Sequence, residues 1–322
     1  MPATAIDDYH DDPTARRELA EYLVTAIADP LPVEGWLGRF AHWWDENPFA
    51  ELHAARGWVV RKDAQLAGFL ALIPVGYSVK GALTPGLAAS TWVIDPECRN
   101  VSLPMFMKLR RLGTEALIAD TTPSPEVQAL MDRVGWRSER WVTRRFLGVG
   151  PLARGKWPSL KAGLRCVTGL DGVKAVARPF QREDRIEKWV SLESLRWQLA
   201  SPIHDHRFLG VVDDAGVLSS FVIVVKKPVR GVPAWAAMEA WTARETPGEL
   251  HAMTGAWLSG EAKVDLPRRL LFSAAEFSPD DLWSTAPALH SRKQEVCHFF
   301  SLPPELAGIP KHTVMAEGDL GL

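Results

Sequence analysis

The sequence predicts an α/β (α+β) fold built as two tandem domains of one strand–helix plan. Three observations carry that prediction. The chain has 322 residues, about twice the length of one ordinary domain. The order of strand and helix patterns in its first half returns in its second. One stretch repeats without a gap: residues 60–69 lie over 212–221, with Val60 on Val212, Leu66 on Leu218 and Phe69 on Phe221. Upstream, the spacing of Trp43 and Pro48 returns as that of Trp197 and Pro202.

The first half reads in order as follows. Residues 1–13, with Asp7, Asp8, Asp11 and Asp12, suggest a flexible tail. Pro13-Thr14 opens a helix over 15–28, with Leu19, Leu23 and Ile27 at four-residue steps, ended by Pro30 and Pro32. A second helix over 34–46 carries Trp36, Phe40, Trp43 and Trp44 and stops at Asn47-Pro48. Strands over 57–61 and 66–75 flank a polar turn, with 77–80 continuing past a bend. A strand over 87–94 closes at Asp95-Pro96. Helix 103–112, strand 116–120, helix 124–134 and strand 141–149 complete a first domain over 14–150.

Residues 151–172 read as a basic linker, and 173–322 as the second domain. Its pattern is strand 173–180, helix 183–199, strands 208–212 and 218–225, and strand 234–243. Helix 247–260, entered through Thr246, strand 269–274, helix 278–289 and strand 295–302 follow.

Composition narrows the function classes. Hydrophobic residues make up 47% and charged residues 24%, an ordinary globular balance. A net charge of -2 speaks against a general nucleic-acid or membrane-surface binder. Cys98, Cys166 and Cys297 lie far apart, so neither a disulfide framework nor a zinc knuckle is expected. No basic, apolar leader is visible, and the apolar run 66–75 is too short to span a bilayer, so a cytoplasmic protein is expected. The 14 tryptophans point first to core use. His204 and His206, near Asp205 and Asp213, lack a third ligand at suitable spacing, so no metal is expected. No Gly-x-Ser-x-Gly elbow is present. The stretch 140–170 carries Arg140, Arg144, Arg145, Arg154, Lys156, Lys161 and Arg165 and no acidic residue. It reads as a solvated connector, or as a surface for a phosphate-rich ligand between the domains.

The segment Trp92-Val93-Ile94-Asp95-Pro96-Glu97-Cys98-Arg99-Asn100 is similar to the central strand and phosphate-loop approach of the GCN5-related N-acetyltransferase superfamily. Ala119-Asp120-Thr121-Thr122 and the helix closing at Val134-Gly135-Trp136 resemble that superfamily's next strand and helix. Trp43-Trp44 with Asn47-Pro48 resembles a subset in which a second domain of the same kind follows. The resemblance implies two tandem domains, each a mainly antiparallel twisted sheet flanked by helices. It implies acetyl-CoA or another acyl-CoA as co-substrate, with pantetheine along Val93 and Ile94. The pyrophosphate would lie at Arg99, Asn100, Val101, Ser102 and Leu103. The superfamily's Arg/Gln-x-x-Gly-x-Gly/Ala loop departs here: Ser102 and Pro104 stand in place of the small residues. The second half has no such loop at Trp241–Gly248.

The expected activity is acyl transfer from acyl-CoA, or another thioester, to an amine or hydroxyl of a small-molecule acceptor held between the domains. An aminoacyl-tRNA-dependent transferase resembling the Fem type, and a non-catalytic scaffold or ligand-binding protein, are the alternatives. No catalytic base is assigned; Asp95, Glu97 and Asp120 are the nearest carboxylates. Thr121, Thr122 and Ser124 read as helix caps.

Overall fold

A computed structural model describes residues 4–27, 31–121, 123–153, 157–177, 184–243, 247–262, 264–267, 271–277 and 282–317. The chain forms two compact units. Unit 1 takes Met1–Tyr77, Ala82–Ser138 and Cys297–Ile309; unit 2 takes Ser78–Gly81, Glu139–Val296 and Pro310–Leu322.

Unit 1 opens with β1 (Thr4–Asp8), antiparallel to β2 (Gly57–Lys62) with Ile6 opposite Val60. Residues 4–8 thus form a strand where the sequence suggests part of a flexible tail. The ring of Tyr9 explains the docking: it is buried against Trp44 and Phe69. In α1 (Pro13–Ala26), the Asp12 carboxylate accepts from the N–H groups of Thr14 and Ala15. The buried face carries Leu19, Ala20 and Leu23. α2 (Val33–Phe40) runs into a π-helical turn, Ala41–Asp45. Trp36, Phe40, Trp43 and Trp44 are all buried there. A regular helix separates adjacent side chains by about 100°, and the wider turn brings both Trp43 and Trp44 inward. The Asn47 amide then donates to the carbonyls of Trp43 and Pro74, tying the turn to the sheet.

The sheet continues with β3 (Gln65–Val79), β4 (Ala82–Ile94) and β5 (Leu117–Asp120). α3 (Ser102–Leu112) buries Met105, Phe106 and Leu109 in a core with Leu70, Leu87 and Ile118. α4 (Pro125–Arg133) starts at Ser124, whose hydroxyl accepts from the Val127 N–H at 3.4 Å, as a cap should. Thr122 lies outside the described residues. Gly86 of β4 faces Tyr77: a Cβ there would stand 2.5 Å from the buried ring. Gly86→Ala is expected to cost about 1–3 kcal/mol, seen as a lower denaturant midpoint.

The chain then enters β6 (Arg137–Gly148), β7 (Leu164–Val167), β8 (Ala175–Val176) and β9 (Ile186–Lys188). After α5 (Leu192–Leu199) come β10 (Arg207–Asp213), β11 (Val217–Lys226) and β12 (Ala234–Thr242). α6 (Gly248–Ser259), β13 (Leu271–Phe277) and β14 (His290–Ser301) close the set. The unit 2 sheet runs β6-β13-β12-β11-β10-β7. Its core packs Trp235, Phe272 and Trp283 with Leu250, Met253 and Trp257 of α6. It is antiparallel except between β12 and β13 and where β8 joins β11.

Three expectations need correcting in this half. The helix expected over 183–199 begins only at Leu192, because Ser191 and Ser194 cap it reciprocally while Ile186–Lys188 pairs as a strand. Residues 282–289 are turns rather than the end of a helix, with Pro287 beside the start of β14. The span expected as a linker contains β7, whose Cys166 pairs with Val211 of β10. Thr246, Arg154, Lys156, 178–183 and 278–281 lie outside the described residues.

The last strand has two roles. Phe299, Phe300 and Ser301 of β14 pair with Asp120, Ala119 and Ile118 of β5, inside unit 1. Most of β6, the strand expected to close the first domain, pairs with β13 inside unit 2.

Candidate functional site

β4 and β5 run parallel only from the pair Gly86–Leu117 to the pair Ala89–Asp120. β4 then continues over Ser90–Ile94 with no partner position on β5, which leaves that strand edge beside a gap. Thr91, inside the diverging stretch, has φ +51°. A left-handed β-branched residue costs about 1–2 kcal/mol, so packing must hold it there. Trp92 supplies part of that packing by stacking on Phe106 of α3, with ring centroids 6.1 Å apart.

The sequence-predicted residues gather at one end of this gap. Val93 and Ile94 are half-buried at the end of β4. Arg99, Asn100 and Val101 belong to a 3-10 turn, Pro96–Val101, that runs straight into α3. The turn winds because Cys98 and Val101 are both drawn into the core, leaving Arg99 and Asn100 exposed. The Ser102 N–H donates back to the Arg99 carbonyl, Leu103 is exposed, and Pro104 has no N–H. The backbone here is therefore a closed turn, not an open glycine cradle. Across the gap, the Glu126 carboxyl sits below its ordinary range, first through the Ser124 hydroxyl, then its own backbone N–H, then Arg99.

The three carboxylates separate by environment. Asp95 accepts from the Tyr22 hydroxyl at 2.9 Å. Burial, and then Asp95, holds that phenol well above its ordinary range. Glu97 pairs with Lys62 at 2.8 Å. Asp120 is buried at the end of β5. Its neighbours in the sheet are Ala89 and Phe299, so the next level of the sheet holds Ser90, Thr121 and His298. All three are buried, His298 to 3% exposure. Sequence reasoning missed His298. Its local pattern, Val296-Cys297-His298-Phe299, reads only as a strand, and nothing in it says which sheet receives that strand.

Unit 2 repeats the arrangement with a different outcome. β12 and β13 pair only from Ala234–Leu271 to Ala236–Ser273, and then separate. A register shift between Ile223 and Val224 leaves Met238 as a bulge, two residues past the last parallel pair, as Thr91 is in unit 1. Here the chain fills its own gap. Val314, Met315 and Ala316 pack on Val225, Ala236 and Met238, and Met315 also reaches Val142, Ala275 and Phe277. The segment is pinned by Ile186, whose N–H donates to Pro310 and whose carbonyl accepts from His312. A buried Lys311–Glu317 ion pair closes it. Lys188 bridges Glu239 at 2.6 Å and Gln198 at 2.9 Å beside it. Beside Lys188, Glu239 and Val314 lies a small cavity of about 20 Å³, room for one water.

His204 and His206 contact each other edge to face, and the His206 ring lies 2.9 Å from the Gln198 carbonyl. Among the described residues no three His, Cys, Asp or Glu side chains stand together as metal ligands. No helix among the described residues is long and apolar enough to cross a membrane.

No family model and no curated protein matches the sequence. Solved structures do. A conserved protein from Enterococcus faecalis, described as a probable N-acyltransferase, superposes with TM-score 0.62 at 14% identity, over 93% of this chain and 72% of that one. A GCN5-related N-acetyltransferase from Anabaena variabilis gives 0.59 at 10% identity, over 92% and 72%. Eis1 from Mycobacterium abscessus gives 0.57 at 12% identity, over 95% and 74%. Likeness of this extent at such low identity shows the architecture: the chain has the fold of the GCN5-related N-acetyltransferases.

Proposed function

We propose that the protein is an acyltransferase, moving an acyl group from acyl-CoA to an amine or hydroxyl of a small-molecule acceptor. The carrying observation is the gap in unit 1, where β4 leaves β5 after Ala89 and bends at Thr91. The β4 edge over Thr91–Ile94, past the last β4–β5 pair, suits an extended, amide-bearing arm such as pantetheine, because strand N–H and C=O groups pair with amides. The closed turn at Pro96–Val101 does not suit a backbone-only phosphate cradle. The Arg99 side chain takes that task instead, assisted by the α3 N-terminus.

In this reading the backbone near Thr91 polarises the thioester carbonyl, and His298 receives the proton of the attacking amine on its ring. The acceptor nitrogen or oxygen forms the new bond to the acyl carbon, the C–S bond breaks, and CoA leaves as the thiolate, which takes up a proton from solvent while His298 returns its own to solvent. Unit 2, with its gap occupied by residues 314–316, binds no donor and serves the acceptor or a partner. Arg99→Ala is expected to weaken acetyl-CoA binding about tenfold in a calorimetric titration, the loss of one charge-assisted contact. Unchanged affinity would remove Arg99 from the site.

The closed turn favours one second reading, an aminoacyl-tRNA-dependent transferase that needs no CoA loop. Saturable binding of aminoacyl-tRNA, with none of acetyl-CoA, would select it.

A further inference from the structure

The turn that leads into α3 starts with two carboxylates, and each is drawn off by a side chain from another element. Asp95 stands at the N-cap of Pro96–Val101. Aspartate is a strong cap because its side-chain oxygen accepts from the first N–H groups of a turn. Here it caps none of them. Its backbone is fixed on both sides: the Asp95 N–H donates to the Ala67 carbonyl, and the Asp95 carbonyl accepts from the Cys98 N–H, each at 2.8 Å. Its carboxylate accepts instead from the Tyr22 hydroxyl of α1 at 2.9 Å. Pro96 has no N–H, so the Glu97 N–H is the group that an Asp95 cap would claim. Glu97 itself, exposed in the first turn, pairs with Lys62 of β2 at 2.8 Å. All of these residues belong to unit 1.

We propose that Tyr22 and Lys62 are positioning residues for the donor: by holding Asp95 and Glu97 off the turn, they keep the entrance of α3 receptive to the anionic end of acyl-CoA. The inference rests on the acyltransferase reading. A carboxylate that caps a turn takes up the N–H groups and the partial positive charge that a phosphate would use. Asp95 keeps its charge beside the tyrosine; what the hydroxyl sets is where that charge lies. Lys62 both places and offsets the charge of Glu97. At about 10 Å, in an effective dielectric of about 20, one misplaced like charge costs roughly tenfold in affinity.

The test is calorimetric titration of the full chain with acetyl-CoA in two mutant cycles. Tyr22→Phe, which removes only the hydroxyl, is expected to weaken binding about tenfold. Asp95→Asn keeps an oxygen for the tyrosine and sheds the charge, so it should bind at least as tightly as the wild type. Tyr22→Phe combined with Asp95→Asn should return to wild-type affinity, because the released side chain is then neutral. Lys62→Gln should weaken binding about threefold, and adding Glu97→Gln should restore it. Glu97 is 63% exposed, so the second cycle stays readable if Tyr22→Phe loosens the fold. A double variant as weak as Tyr22→Phe alone would make the tyrosine a structural tether and overturn the proposal, as would wild-type affinity in both Tyr22→Phe and Lys62→Gln. No saturation by the wild type would instead overturn the acyltransferase reading, and this inference with it.

Discussion

His298→Gln is expected to lower the turnover of acyl transfer about 10²–10⁴-fold, with a small change in the KM for acyl-CoA. The size follows from removing a general base, and the split follows from its place. The histidine sits level with Ser90 and Thr121, past the last β4–β5 pair, rather than at the Arg99 turn. Glutamine keeps the volume and hydrogen-bonding capacity of the ring and so separates chemistry from packing. The pH profile supplies the second readout: a rising limb present in the wild type should be absent from the variant. Full activity in the variant would show that His298 is not the proton acceptor.

Lys311→Met is expected to destabilise the protein by about 3–5 kcal/mol, because it leaves the buried Glu317 carboxylate without its cation. The double change Lys311→Met with Glu317→Gln should recover most of that loss, since an apolar residue beside a neutral amide strands no charge. Denaturant midpoints of the three chains test this. A single variant within about 1 kcal/mol of the wild type would show that the 314–316 segment is held by its apolar contacts alone.

Much of the fold was legible because hydrophobic period and turn chemistry are local. The gap-free match of Val60–Phe69 to Val212–Phe221 places corresponding hairpins, and their turns fall at Asp63-Ala64 and Gly216, all with positive φ. The readings failed where long-range contacts decided the outcome. Ile186–Lys188 looks like the start of a helix until the C-terminal segment beside it is known. The N-terminal strand depends on a tyrosine ring buried under Trp44 and Phe69. The candidate site divides in the same way. Val93, Ile94 and Arg99 follow one another along the chain and were readable. His298 reaches β5 from near the other end of the sequence, and Met315 fills the second gap from beyond every recognisable motif. The helical winding of Pro96–Val101 was also hidden, because it rests on Cys98 and Val101 both finding the core.

Hydrogen–deuterium exchange, with and without saturating acetyl-CoA, locates the donor site on the chain. Slowed exchange is expected over residues 90–94 of β4 and over the turn and first helical turn at 96–105, with no change over 234–242 of β12. Protection absent from β4, or present on β12 instead, would contradict the assignment of the donor site to unit 1.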